Sequence, residues 1–230
     1  MKKIPKQLII LDILAGLGMI AGLVLVFWYA PIEQTMGMVQ KVFYFHVAST
    51  WMGMLGFLLS AVASIMYLQT KNLNWDAAAV SGTEIGMVFL LIGIVTGSIW
   101  AKPIWNTWWT WDPRLTTTLI MELIYAAYFL FRANLGEIRQ KARLSAIYNI
   151  VGFITVPITF LSIRIFRSIH PVIIHSASSS SGMFAMSERM RVTFFISLAV
   201  FSIFFAAVFW HRYRLECTRR SVENLLTEDV

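Results

Sequence analysis

Cysteine is almost absent from this chain. Cys217 is the only cysteine among 230 residues, and it lies near the C-terminus. A single thiol cannot form an intrachain disulfide, so thiol–disulfide exchange within the chain is excluded. A metal site away from the C-terminal tail must use ligands other than cysteine.

Charged residues are also scarce. They make up 13% of the chain, against roughly 25% in a typical soluble domain, while 58% of the residues are hydrophobic and the mean hydropathy is +0.69. Charge-free runs recur at about the 20 residues that a helix needs to cross a bilayer. We therefore predict an all-α, polytopic membrane protein, a single domain over residues 1–230. Its six transmembrane helices are expected at approximately 9–28, 48–69, 78–99, 115–131, 145–163 and 192–210.

The basic residues predict the orientation of these helices. Of the nineteen lysines and arginines, twelve fall on the side of the two termini and seven on the other side. Because basic residues accumulate on the cytoplasmic side of membrane proteins, both termini are expected in the cytoplasm. The net charge of +7 is then a signal for membrane topology and no indication of nucleic-acid binding.

Two carboxylates, Glu84 and Glu122, lie inside predicted spans. They indicate either buried structural contacts, including a protonated carboxyl, or a proton or substrate path through the bundle. We favour the structural alternative.

Tryptophan is concentrated in one segment. Five of the nine tryptophans lie in "WAKPIWNTWWTW" at 100–111, beside Pro103, Asn106 and Pro113, which argue against a buried helix. An interfacial belt accounts for isolated tryptophans such as Trp28. It accounts poorly for this density, because a belt spreads its aromatic residues around the rim. A shelf of indoles suits a large planar aromatic ligand, which it contacts by offset stacking.

Histidines share a side of the membrane with this Trp segment. With six spans, the connections after the first, third and fifth helices lie on one side, and they carry His46, the Trp segment, and His170 with His175. A lone histidine at a membrane interface is often structural, but a polar group where an apolar span begins favours a functional role for His46. Two imidazoles suit axial ligation of a metal, and haem combines such a metal with a planar aromatic ring. Arginines that could bind its propionates follow the Trp segment or precede His170, namely Arg114, Arg164 and Arg167.

Two histidines compete for the second ligand position in "RSIHPVIIHS". Five residues apart on a helix, they would point about 140° away from each other, so one haem is not expected to use both. Pro171 restrains the backbone of His170, whereas His175 runs into the serine-rich patch at 176–182. We therefore favour His170.

The residues around the Trp segment resemble a known family. "WNTWWTWD" resembles the tryptophan-rich WWD signature, W-G-x-x-W-x-W-D, of haem-handling membrane proteins of cytochrome c biogenesis. Together with "YFHVAS" and "RSIHP", it resembles the haem exporter protein C (CcmC) family over nearly the whole chain. The resemblance implies that His46 and His170 are axial haem ligands, with a haem platform formed by Trp105, Trp108, Trp109, Trp111 and Asp112. Asn106 stands where the motif has glycine, and asparagine adopts left-handed backbone conformations more readily than most residues.

The resemblance also implies a function. It suggests a non-enzymatic protein that binds haem b at the outer face of the plasma (inner) membrane and delivers it to the haem chaperone CcmE. The implied partners are the ABC transporter subunits CcmA and CcmB, and CcmD. A haem permease subunit and a component of a haem-attachment synthetase are the alternatives. For Asp112 three roles stay open: orienting the loop, pairing with Arg114, and capping the fourth helix.

Overall fold

The structure is a computed structural model that describes residues 3–34, 36–170 and 186–228. His175 and the serine-rich patch lie outside the described residues. The described part of the chain is helical and contains no β-strand. Its α-helices are α1 (Lys6–Val24), α2 (Val42–Thr70), α3 (Leu73–Trp105), α4 (Pro113–Ala133), α5 (Ile138–Phe153), α6 (Thr155–Ile165) and α7 (Glu188–Glu228).

Six helical segments of the described chain are long and apolar enough to cross a membrane. They are Lys6–Tyr29, Met38–Thr70, Leu73–Trp105, Pro113–Ala133, Ile138–Ile165 and Glu188–Glu223. The predicted all-α fold with six spans is thereby confirmed, and each segment includes one predicted span. Six crossings leave both termini on one side of the membrane.

Several helices extend beyond the spans that the sequence pattern predicts, α2 and α3 among them. The second span begins ten residues before the predicted 48, because a 3-10 turn at Met38–Lys41 leads directly into α2. The third continues past the predicted end at 99, through Pro103, to Trp105. Proline disrupts a helix because it lacks a backbone N–H. Pro103 lies only two residues before the end of α3, so little helix follows the disruption. Asn106 ends α3 in the left-handed conformation, with φ 56°, which asparagine adopts more readily than most residues.

The bundle is centred on α2 and α3, which pack at backbone contact. A Cβ atom added to Gly56 would lie 2.6 Å from the Cα atom of Gly86, so neither helix tolerates a side chain there. Next to this contact, the Phe57 ring of α2 stacks on Tyr125 of α4 with 3.6 Å between ring centroids. The fifth span is divided into α5 and α6 just before Pro157, which cannot donate the next helical hydrogen bond.

The end of the bundle that carries the termini is held by buried ion pairs. Asp76 of α3 accepts two hydrogen bonds from Arg132 of α4, at 2.9 and 2.8 Å, and one from Arg220 of α7, at 2.6 Å. Arg220 also donates to Glu216, which is completely buried. These contacts fasten the end of α7 to α3 and α4.

The two carboxylates inside the spans have different surroundings. Glu84 pairs with Arg212 of α7 at 2.6 Å, as the structural interpretation expects. Glu122 is buried in α4, and its Oε2 atom has no hydrogen-bond partner among the described residues. Within the described residues, Glu84 thus has an ion-pair partner, while the Oε2 atom of Glu122 has none.

Candidate functional site

A cavity of about 510 Å³ opens at the end of the bundle opposite the termini. Its walls come from the start of α2, the end of α3, the start of α4, the end of α6 and the start of α7. This volume lies within the range of about 300–1,000 Å³ typical of small-molecule and cofactor sites. The polar and aromatic side chains around it include His46, Thr50, Trp100, Trp105, Trp108, Trp109, Arg114, Arg164 and His170.

His46 enters this cavity from the second turn of α2. Because its partner is an acceptor, the His46 Nδ1–H donates to the carbonyl oxygen of Gly93 in α3, at 2.8 Å. Gly97, one turn further along α3, leaves room for the ring: an added Cβ atom would lie 2.8 Å from His46 Cε1. With Nδ1 occupied, Nε2 is the nitrogen left to act as a ligand, an arrangement common among metal-binding histidines.

His170 lies on the non-helical segment that follows α6, and Asp112 holds that segment. One carboxylate oxygen of Asp112 accepts from the Ser168 hydroxyl, and the other accepts from the Ile169 N–H, both at 2.9 Å. Asp112 Oδ1 also accepts from the Arg114 N–H at 2.9 Å and so caps α4. Of the roles considered for Asp112, capping the fourth helix is observed, and the segment that it orients through Ser168 and Ile169 is the one that carries His170.

The two imidazoles converge although 124 residues separate them in the chain. Their ring centroids are 6.4 Å apart and their planes are inclined by 45°. Two imidazoles that bind one metal from opposite sides, at about 2 Å each, have centroids roughly 6 Å apart. The observed separation is close to that value. Within the described residues, no group of three or more His, Cys, Asp or Glu side chains is arranged to hold a metal.

Three of the four tryptophans predicted to form the haem platform line the cavity, and one does not. Trp105, Trp108 and Trp109 line the cavity, and Trp108 is 58% exposed at its rim. Trp111 is 75% exposed, is not among the lining residues, and packs edge-on against Trp109 with centroids 6.0 Å apart. Trp100 lines the cavity although it was not predicted to belong to the platform.

Two of these indoles present donors without acceptors. The Nε1–H groups of Trp100 and Trp109 are buried and have no hydrogen-bond partner among the described residues. A buried donor without a partner is costly. Both N–H groups remain unsatisfied within the described residues.

The three predicted propionate-binding arginines lie in different places. Arg114 and Arg164 line the cavity. Arg114 also donates to the carbonyl oxygens of Thr159 and Phe160, at 3.0 and 3.2 Å, which fixes α4 to α6. Arg167 is exposed and is not among the lining residues.

Sequence reasoning missed part of the wall. Trp51 and Phe160 both line the cavity and contact each other edge-on, with centroids 5.9 Å apart. Trp51 lies five residues after His46, a little more than one helical turn. That spacing was the available signal, but an isolated tryptophan near a membrane interface resembles an ordinary belt residue.

Comparison with known proteins shows to which family this chain belongs. The profile of the family described as "Heme exporter protein C" matches residues 2–228, nearly the entire chain. The chain belongs to the haem exporter protein C family. As a member, it is a multi-pass membrane protein that handles haem for cytochrome c biogenesis, and haem is its cargo.

Named members of the haem exporter protein C family are similar to this chain over most of its length. The protein of Paracoccus denitrificans is 29% identical over 203 residues, which cover 86% of this chain and 82% of that protein. The protein of Bradyrhizobium diazoefficiens is 28% identical, over 85% of this chain and 73% of that protein. For Escherichia coli the values are 33% identity, 63% and 59%.

Proposed function

We propose that this chain binds haem b between His46 and His170 and delivers it to the haem chaperone CcmE during cytochrome c maturation. The observation that carries the proposal is the pair of imidazoles, 6.4 Å apart, in a cavity walled by tryptophans. Two protein ligands are too few for a bare transition metal, which usually takes four or more. They suffice for a metal whose other ligands come from a macrocycle.

Saturating both axial positions of the iron suits a carrier. Open coordination positions allow oxygen to bind and react, and two imidazoles occupy them. The protein then contributes binding and orientation, while reactivity at the metal is restrained. This role agrees with a non-enzymatic handling protein.

The walls of the cavity supply the remaining contacts of a haem. Trp105, Trp108 and Trp109 offer aromatic area, and each aromatic contact contributes about 0.5–1.5 kcal/mol beyond area burial. Arg114 and Arg164 line the cavity and are cationic partners for propionates. Arg167 and Trp111, which do not line the cavity, are available for the approach of a partner.

The positive-inside pattern supports a cytoplasmic location for both termini. The cavity would then face the outside of the plasma (inner) membrane, and the rim around Trp108 is the accessible route for the chaperone. We propose that the whole chain acts as one haem-handling domain, with CcmA, CcmB and CcmD as its membrane partners.

The test is haem binding by the purified protein. Protein from haem-replete cells should give a low-spin ferric absorption spectrum, and a pyridine haemochrome assay should find haem b. Replacing His46 by alanine should lower the haem content, because one of two axial ligands is lost. His211→Ala is the matched control, since His211 lies at the opposite end and pairs with Asp12 at 2.9 Å. Well-folded protein without haem, or equal losses in both variants, would contradict the proposal.

A second comparison tests the aromatic wall. Trp109→Ala removes an indole that lines the cavity, whereas Trp111→Ala removes its exposed neighbour from the same segment. Loss of about 1 kcal/mol of aromatic contact corresponds to roughly a fivefold weaker affinity. We expect Trp109→Ala to weaken haem retention and Trp111→Ala to change it much less. If both variants retain as much haem as the wild type, the segment acts only as an interfacial belt.

A further inference from the structure

The two imidazoles are mounted on supports of very different kinds. His46 projects from α2, a helix of 29 residues in backbone contact with α3, and donates to the backbone of α3. His170 follows the end of α6 at Ile165 and lies in a non-helical segment, here called the His170 arm, residues 166–170. The position of His46 is therefore set by helix packing, whereas that of His170 depends on what fastens its arm.

The arm is fastened through side chains that meet at one carboxylate. Ser168 accepts a hydrogen bond from the backbone N–H of His170 at 3.0 Å and donates its own proton to Asp112 at 2.9 Å. The Ile169 N–H donates to the second oxygen of Asp112. Ser168, Ile169 and His170 are thus connected to Asp112, the residue that follows the Trp segment.

Asp112 joins this arm to the aromatic wall. It directly follows Trp111, and its Oδ1 atom caps α4 through the Arg114 N–H. Three donors share its two oxygens, and hydrogen bonds to an ionised acceptor are the stronger kind. The Trp segment, the start of α4 and the His170 arm are consequently held in one fixed relation.

We infer, on the basis of the proposed function, that Ser168 and Asp112 are positioning residues that hold His170 opposite His46 at the spacing needed for axial ligation. Neither is inferred to contact the haem. When the connection through Ser168 is broken, the arm leaves its docked position and the iron opens on the His170 side, while His46 keeps its hold. Axial coordination by His170 thus depends on the hydrogen bonds of Ser168 and Asp112, neither of which binds the metal.

Ser168→Ala removes the hydroxyl that connects His170 to Asp112 and leaves the Ile169 contact in place. Ser168→Thr retains a hydroxyl and should restore function. Asp112→Asn keeps the shape and the helix cap, because asparagine caps helices about as well as aspartate. Its single acceptor oxygen cannot serve all three donors, however. Ser81→Ala is the matched control: Ser81 is completely buried in α3, donates to the Ala77 carbonyl and lies away from the cavity.

The measurements are the haem content, the ferric spectrum and the response to added imidazole and carbon monoxide. Loss of a hydrogen bond to a charged acceptor is expected to lower the docked population of the arm about tenfold or more. Ser168→Ala and Asp112→Asn should keep more haem than His46→Ala does, because His46 and a tethered His170 are both still present. They should lose the low-spin signal, regain it with imidazole, and bind carbon monoxide readily after reduction. The wild type, Ser81→Ala and Ser168→Thr should stay low-spin.

The outcomes separate this inference from the proposed function. If the wild type has no haem, or if His170→Ala leaves its spectrum unchanged, the proposed ligation fails. If His170→Ala changes the spectrum but Ser168→Ala and Asp112→Asn do not, only the positioning role is wrong. Loss of haem in Ser168→Ala that imidazole does not reverse, with Ser168→Thr equally affected, would also overturn it.

Discussion

Replacing Gly97 by alanine tests how His46 is held in the cavity. The added Cβ atom would lie 2.8 Å from His46 Cε1 and 3.1 Å from Nδ1. Carbon atoms in ordinary contact are about 3.5 Å apart, so the imidazole must retreat by about 0.7 Å. Gly97 lies in α3 and the histidine in α2, two helices already at backbone contact, so the ring moves more easily than the helices do.

This retreat affects the hydrogen bond of the imidazole and its proposed bond to the haem iron. The hydrogen bond from Nδ1–H to the Gly93 carbonyl, now 2.8 Å, is stretched or broken. Its net contribution is about 1 kcal/mol, which equals roughly a fivefold change in an equilibrium constant. A metal–nitrogen bond of about 2 Å tolerates such a displacement even less. We therefore expect haem retention to fall fivefold or more.

The assay is haem per protein after purification from haem-replete cells, together with the ferric spectrum. Gly16→Ala is the matched control, because Gly16 is helical and an added Cβ atom would meet no heavy atom within 4 Å. The same chemical change there favours the helix by up to about 1 kcal/mol. Wild-type haem content and spectrum in Gly97→Ala would refute the reasoning, since His46 would not then be held as described.

Three other predictions concern topology, ligand choice and stability. Reporter domains fused after residue 104 and at the C-terminus should lie on opposite sides of the membrane, and signals from the same side would contradict six crossings. His170→Ala should abolish the low-spin ferric spectrum, with recovery on adding imidazole, whereas His175→Ala should leave it nearly unchanged; the reverse result would assign the second ligand to His175. Asp76→Ala leaves Arg132 and Arg220 buried without this partner. The free energy of unfolding, measured by thermal unfolding in detergent, should therefore fall by about 3–5 kcal/mol. An unchanged melting temperature would contradict the stabilising role of the buried ion pairs.

The pattern of apolar runs and charges was enough to predict the six spans. A helix must satisfy its backbone hydrogen bonds within the bilayer, so a run of about 20 apolar residues has few alternative structures. The order of such runs then decides which connections share a side. For this reason the sequence alone predicts His46, the Trp segment and His170 at one end of the bundle.

The rotation of each helix and the local fastening of each loop depended on tertiary contacts. Transmembrane helices that are apolar nearly all around carry little information about which face turns inward. The sequence therefore could not show that Trp100 lines the cavity while Trp111 lies outside it, or that Arg114 and not Arg167 faces inward. The bonds from His46 to Gly93 and from Ser168 to Asp112 join residues 47 and 56 positions apart. Contacts over such distances follow from how the helices pack, and no local pattern specifies them.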